Sequence, residues 1–218
     1  MKAISYDPQD KEDLTEWNKG KYVPQQEEMT PRMLLEILSQ AAKLKVNTRH
    51  CVTAPGRGES VADHSWRLAL MAMLLSGTAE FAGTDLNKVI RMCLIHDLGE
   101  SFTGDIPTFE KTGADTRKED ALFHAWVERF PGRQREEWRS LLEEMEAMET
   151  REAKTYKALD KLEAVISHNE SDISTWLPLE YSLQLTYGKE NVAFSPYLTA
   201  LSQAVDQWTR EKIEAEKG

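Results

Sequence analysis

The sequence predicts an all-α fold in one main domain, and three observations carry that prediction. Apolar residues recur at three- and four-residue spacing along most of the chain, capping signatures precede several of these stretches, and no run alternates as a half-buried strand would. At 218 residues the chain can bury one substantial core. A 40% hydrophobic and 29% charged composition suits a helical protein in water.

Residues 1–29 are polar and mixed in charge, with Pro8 and Pro24 and no sustained period, and read as an arm. Thr30 as N-cap and Pro31 at the first helical position open a helix whose stripe is Met33, Leu34, Ile37, Leu38, Ala41 and Leu44. Thr53 to Glu59 reads as a Pro/Gly-rich loop. Ser60 and Asp63 then form a capping box for a helix to about Leu75. A third helix is predicted from about Asp85 to Leu98, nearly apolar all round and so central. Gly99 to Gly113 reads as a loop or broken helix. Thr116 and Glu119 supply a second capping-box pattern for a helix through Phe130, which Pro131-Gly132 ends. Trp138, Leu141, Leu142, Met145 and Met148 stripe the next helix. Another carries Tyr156, Leu159, Leu162, Val165 and Ile166 between about Glu152 and His168, and two more fill 174–187 and 195–213.

The net charge of −10 argues against a general affinity for nucleic-acid polymers, which takes clustered Lys and Arg. It leaves room for a small phosphorylated substrate at one local cationic site. No apolar run approaches the roughly 20 residues that span a bilayer, and the charged N-terminus lacks a signal-peptide stretch. The two cysteines, Cys51 and Cys93, form no disulfide framework, which fits a reducing cytoplasm. Asn169-Glu170-Ser171 spells a glycosylation acceptor that reads as chance in that setting.

The chemistry concentrates in KVIRMCLIHDLGE, residues 88–100. His96 and Asp97 stand side by side at the end of an apolar run, where an unpaired carboxylate is costly and calls for a hydrogen bond, an ion pair or a metal. Glu100 falls on the same side of the helix. His64 lies in line with Leu68, Ala72 and Leu75, where a satisfied core histidine is the ordinary explanation, and Asp160 sits mid-helix among apolar neighbours. Together they offer two imidazoles and two carboxylates from three core helices, a donor set that suits Mn, Fe, Co, Ni or Zn.

ESVADHSWRLALMAMLL, HDLGESFTGDIP and ALDKLEAVISHNE resemble the three signature blocks of the HD-domain phosphohydrolases, in the branch of the bacterial 5′-deoxynucleotidases and related eukaryotic proteins. The resemblance spans roughly residues 30 to 185. It implies an HD-domain helical bundle over 30–188, between an N-terminal arm over 1–29 and a C-terminal helical extension over 189–218. It implies that His64, His96, Asp97 and Asp160 ligate one divalent ion (Mn, Co, Fe, Ni, Zn or Mg). Glu100 would position water and Asp105 would protonate the leaving group, although an aspartate after Gly104 is also a common turn residue. Arg49, fifteen residues before His64, would face the substrate phosphate with its planar fork. His50 stands where those nucleotidases carry a tryptophan against the sugar, which puts deoxyribose selectivity in doubt.

Arg57 and Lys118 are alternative anion contacts that read more simply as surface charge. His124 and His168 read as structural, so ligand counting favours a mononuclear site. The expected activity is hydrolysis of a nucleoside 5′-monophosphate by a cytoplasmic homodimer. The alternatives are a phosphoanhydride or phosphodiester hydrolase acting on a signalling nucleotide, and a non-catalytic scaffold or sensor.

Overall fold

Thr30 caps α1 (Pro31–Ala41), its hydroxyl accepting from the amide of Met33 at 3.2 Å, and Pro31 needs no partner at the first position. The computed structural model describes residues 28–54 and 56–216, so the arm over 1–29 lies almost wholly outside the described residues. After a tight turn at Ala42–Lys45, β1 (Thr48–Ala54) pairs antiparallel with β2 (Arg57–Ser60). Thr48 faces Ser60 and Val52 faces Gly58, with irregular register between them. This hairpin corrects the loop expected over Thr53–Glu59. Its strands are short, polar and irregular in register, so they carry no period-two signature.

Ser60 and Asp63 form the expected capping box on α2 (Val61–Leu74). Asp85 caps α3 (Leu86–Ile95), accepting from the amide of Lys88 at 3.0 Å. α3 ends earlier than expected, with His96 as its C-cap, and it is not buried all round, since Leu94 is 49% exposed. The chain turns through His96–Gly99 into the short α4 (Glu100–Thr103). A Cβ on Gly99 would meet the Glu119 side chain at 2.7 Å, so any larger residue would displace that side chain.

α5 (Gly113–Val127) starts earlier than expected, because Thr112 and Asp115 make the capping box while Thr116 and Glu119 lie inside the helix. α6 (Gly132–Ala147) ends at Met148 in a left-handed conformation, φ 53°. α7 (Arg151–Glu170) is capped by Thr150. The single helix expected over 174–187 is broken instead into a 3₁₀ turn at Ile173–Thr175 and α8 (Glu180–Leu183). Pro178 disfavours helix at Leu177, and Gly188, at φ 70°, turns the chain into α9 (Lys189–Val192). α10 (Pro196–Glu216) completes the described chain.

The core runs through α2, α3 and α7, where Leu68, Ala72, Val89, Met92, Cys93 and Leu159 are sealed. Each such Leu, Val or Met contributes about 1.5–3 kcal/mol by burial. Trp126 anchors a second layer, edge-on to Phe130 at 4.8 Å and to Phe102 at 5.9 Å. α10 packs on α7 through Leu198 and through Asn169, whose amide donates to Thr209 at 2.9 Å. Asn169 is therefore buried, consistent with a chance glycosylation motif. Both cysteines are free and buried.

Candidate active site

Three elements bring the predicted ligands together: His64 from α2, His96 and Asp97 from the turn that ends α3, and Asp160 from the middle of α7. Nε2 of His64 lies 3.3 Å from Nε2 of His96 and 3.3 Å from Oδ1 of Asp160. Nε2 of His96 lies 3.0 Å from Oδ2 of Asp97, which is 3.8 Å from His64.

The opposite ring atoms settle the tautomers. Nδ1 of His64 meets Oε2 of Glu163, and Nδ1 of His96 meets the carbonyl of Cys93 at 2.9 Å. A carboxylate and a carbonyl only accept, so both Nδ1 atoms carry the proton. In the neutral imidazoles both Nε2 atoms then present lone pairs to each other and to two carboxylates. Such an all-acceptor cage is repulsive unless a cation fills it, and the donor set therefore fits a divalent metal.

Without an ion in the cage a proton supplies the positive charge: burial and Arg49 oppose it, yet Asp160 and Glu163 raise the pKa of His64 to about 9. Burial opposes the charge of Asp97, yet His96 and His64 beside it hold its carboxyl well below the usual range. Burial likewise opposes Asp160, and Lys157 and Lys161 outweigh it, at 3.0 and 3.3 Å from Oδ2. A second cluster, Glu59, His64 and Glu163, adjoins the first. Its carboxylates are already taken: Arg49 pairs with Glu59 at 2.9 Å and Glu163 at 3.2 Å, Arg67 with Glu163 at 2.7 Å, and Ser167 donates to Glu59 at 2.6 Å. This cluster is a support behind the ligands.

A cleft open to solvent is lined by Arg49, His50, Asp105, Phe109, Gln184 and Tyr187 among others, and none of the four candidate ligands lines it; Arg49 connects it to the cage through Glu163. Arg49 spends Nη1 on the two glutamates, and its Nε and Nη2 make no hydrogen bond among the described residues. Gly104, at φ 80°, reverses the chain so that Asp105 reaches this cleft. Burial raises the pKa of Asp105 against the opposing pull of Arg49.

Glu100 does not line the cleft. It is 5% exposed, its Oε2 is buried without a hydrogen bond among the described residues, and Lys111 stands 3.9 Å away. Burial, with Asp97, Asp105 and Glu119 nearby, pushes its pKa up to about 10. Arg57 pairs with Asp63 at 2.5 Å on the surface, and His124 pairs with Glu146 at 2.5 Å. His168, read from sequence as structural, also lines the cleft and donates to Glu180 at 2.9 Å. Sequence reasoning missed Glu163, Lys157, Lys161 and Glu180. Only the DKLE run inside the third signature block held a signal, for Lys161 and Glu163; Lys157 lies just before that block.

A family model of the HD domain matches residues 41–201. The human protein 5′-deoxynucleotidase HDDC2 is 30% identical over 143 residues, 64% of this chain and 68% of its own length. The Dictyostelium discoideum protein of that name is 33% identical over 149 residues, 62% and 76% of the two chains. The match to the Xenopus laevis protein, at 36% identity, spans only 53% of that protein. Among solved structures, a predicted metal-dependent phosphohydrolase from Magnetospirillum magnetotacticum MS-1 superposes with a TM-score of 0.68 at 29% identity, covering 82% of this chain and 92% of its own.

Proposed function

The chain belongs to the HD-domain family, and from that premise we propose that it hydrolyses a nucleoside 5′-monophosphate to nucleoside and phosphate with one divalent ion held by His64, His96, Asp97 and Asp160. The observation that carries this reading is the convergence of His64, His96 and Asp160, with Asp97 beside both imidazoles, behind an open cleft that Arg49 and Asp105 line. The names of the relatives, nucleotidases and a phosphohydrolase, support it.

A bound divalent ion supplies Lewis acidity, lowering the pKa of water and polarising a phosphoryl oxygen. Arg49 presents its unspent Nε and Nη2 to the phosphate, held in place by Glu59 and Glu163. Glu100, behind the cage, orients the attacking water and exchanges a proton at its unpaired Oε2. Asp105, in the cleft wall, carries the proton for the departing sugar oxygen, a role its raised pKa favours. Lys161 joins the ligand Asp160 to the cleft by donating to the hydroxyl of Tyr187 at 2.9 Å.

Mn, Co, Fe, Ni, Zn and Mg are the candidate ions. The test is phosphate release from a panel of nucleoside monophosphates with each metal added to the stripped protein. Turnover of at least one monophosphate is expected, and none with a loaded metal would refute the reading.

The working unit is proposed to be a homodimer. Leu34, Leu35 and Leu38 on α1, with Trp66, Leu70, Met73 and Leu74 on α2, are all exposed, Leu74 to 71%. Exposed apolar side chains on both helices support pairing between copies. No described helix is long and apolar enough to cross a membrane. A cytoplasmic location is proposed, supported by the two free, buried thiols.

A further inference from the structure

Asp160 uses its two oxygens on different sides. Oδ1 faces Nε2 of His64 in the cage at 3.3 Å, while Oδ2 pairs with Lys157 at 3.0 Å and Lys161 at 3.3 Å. Lys161 donates onward to the hydroxyl of Tyr187 at 2.9 Å, and that hydroxyl meets the hydroxyl of Thr108 at 3.2 Å. An ammonium only donates, so the Tyr187 oxygen accepts from it and keeps its own proton for Thr108. Among the described residues, this is the one hydrogen bond that ties residues 105–110 to the opposite wall of the cleft. Backbone packing fixes Tyr187 in this place. Gly188, at φ 70°, would bring a Cβ within 2.4 Å of Cβ of Lys161, so only glycine lets the chain rest on α7 there. Nζ of Lys161 also lies 4.9 Å from the centre of the Tyr187 ring, within cation–π range. Across the cleft, Asp105 begins the tied segment, and Lys111 ends it, paired with Glu119 at 2.8 Å. The turn between them is closed by the amides of Glu110 and Lys111, which donate to the carbonyl of Pro107 at 2.8 and 2.9 Å.

We propose that Tyr187 is a positioning residue that couples the metal cage to the segment carrying Asp105. The proposal rests on the metal reading of His64, His96, Asp97 and Asp160. With a cation at Oδ1, less of the carboxylate's charge is left for Lys161, and the ammonium leans more heavily on Tyr187. A hydroxyl whose oxygen accepts a stronger bond is a better donor, so the bond to Thr108 tightens. Filling the cage therefore steadies Asp105, the group assigned the proton for the departing sugar oxygen. The Tyr187–Thr108 bond is exposed, so it biases the segment without locking it.

The test is hydrogen exchange at the amides of Glu110 and Lys111, compared between the stripped full chain and the chain saturated with Mn²⁺, with loading checked by elemental analysis. Metal is expected to slow exchange roughly two- to tenfold in the wild type, the range set by one net hydrogen bond. Tyr187→Phe keeps the ring against Lys161 and removes only the hydroxyl, and it should abolish the slowing. Thr108→Val should abolish it too, while Thr108→Ser, which keeps a hydroxyl, should retain it. Slowing that persists in loaded Tyr187→Phe, or a loaded wild type that exchanges as fast as the stripped one, would overturn the proposal. A wild type that takes up no Mn²⁺ would instead overturn the metal reading, and the proposal with it.

Discussion

Glu163 meets Nδ1 of His64 with both side chains fully sealed from solvent, and that contact fixes which face of the imidazole is left for a metal. Glu163→Gln removes the acceptor charge that holds this tautomer. Metal affinity should drop about 10–100-fold, as is usual when the partner of a ligating histidine is lost. Calorimetric titration with Mn²⁺ would show it, with circular dichroism confirming an intact helical fold. An unchanged affinity would mean that Glu163 only neutralises Arg49 and Arg67.

Glu100 makes stability depend on pH in a defined direction. Its folded pKa is raised to about 10, so the stability of the protonated, folded carboxyl is fully present below the ordinary carboxylate pKa and is lost as pH rises toward 10. The loss is at most about 1.4 kcal/mol per pH unit. Glu100→Gln cannot ionise and should escape it. Urea unfolding of the metal-stripped protein at pH 5, 7 and 9 should show the variant gaining on the wild type as pH rises. Parallel curves would refute this environment for Glu100. In the loaded enzyme the same variant should lose turnover, since it can no longer exchange a proton.

Arg49 serves both structure and substrate. Arg49→Ala leaves the buried Glu59 and Glu163 short of a cation and should cost about 3–5 kcal/mol of stability. Arg49→Lys keeps the charge but loses the fork, so the fold should persist while KM for a monophosphate rises roughly tenfold or more. A lysine variant with unaltered KM would remove Arg49 from phosphate binding.

The exposed stripe on α1 and α2 predicts self-association. Light scattering should give twice the mass of one chain, and Leu70→Asp with Leu74→Asp should give a monomer with unchanged helicity. A monomeric wild type would refute the proposed dimer.

The helical class was legible because the apolar period and most caps are local. The four candidate ligands were legible because imidazoles and carboxylates in apolar runs violate the ordinary pattern of burial. Glu163 was not, because a glutamate near Lys161 on a charged helix looks solvated. Its partners Arg67 and Arg49 lie 96 and 114 positions away in sequence. The hairpin escaped because its residues follow no alternation. The start of α5 was misplaced because Thr112–Asp115 and Thr116–Glu119 have the same capping spacing, and only the loop after Asp105 decides between them. His50, His168 and Glu180 come from three separate segments, and no periodicity announces that they share a cleft.

The facing lone pairs of His64 and His96, with Asp97 and Asp160, are proposed to hold one divalent ion. Equilibrium dialysis of the stripped protein against Mn²⁺, followed by elemental analysis, tests it most directly. About one tightly held ion is expected per wild-type chain and essentially none in Asp97→Ala. A wild type that retains no ion, or an Asp97→Ala variant that retains as much as the wild type, would contradict it.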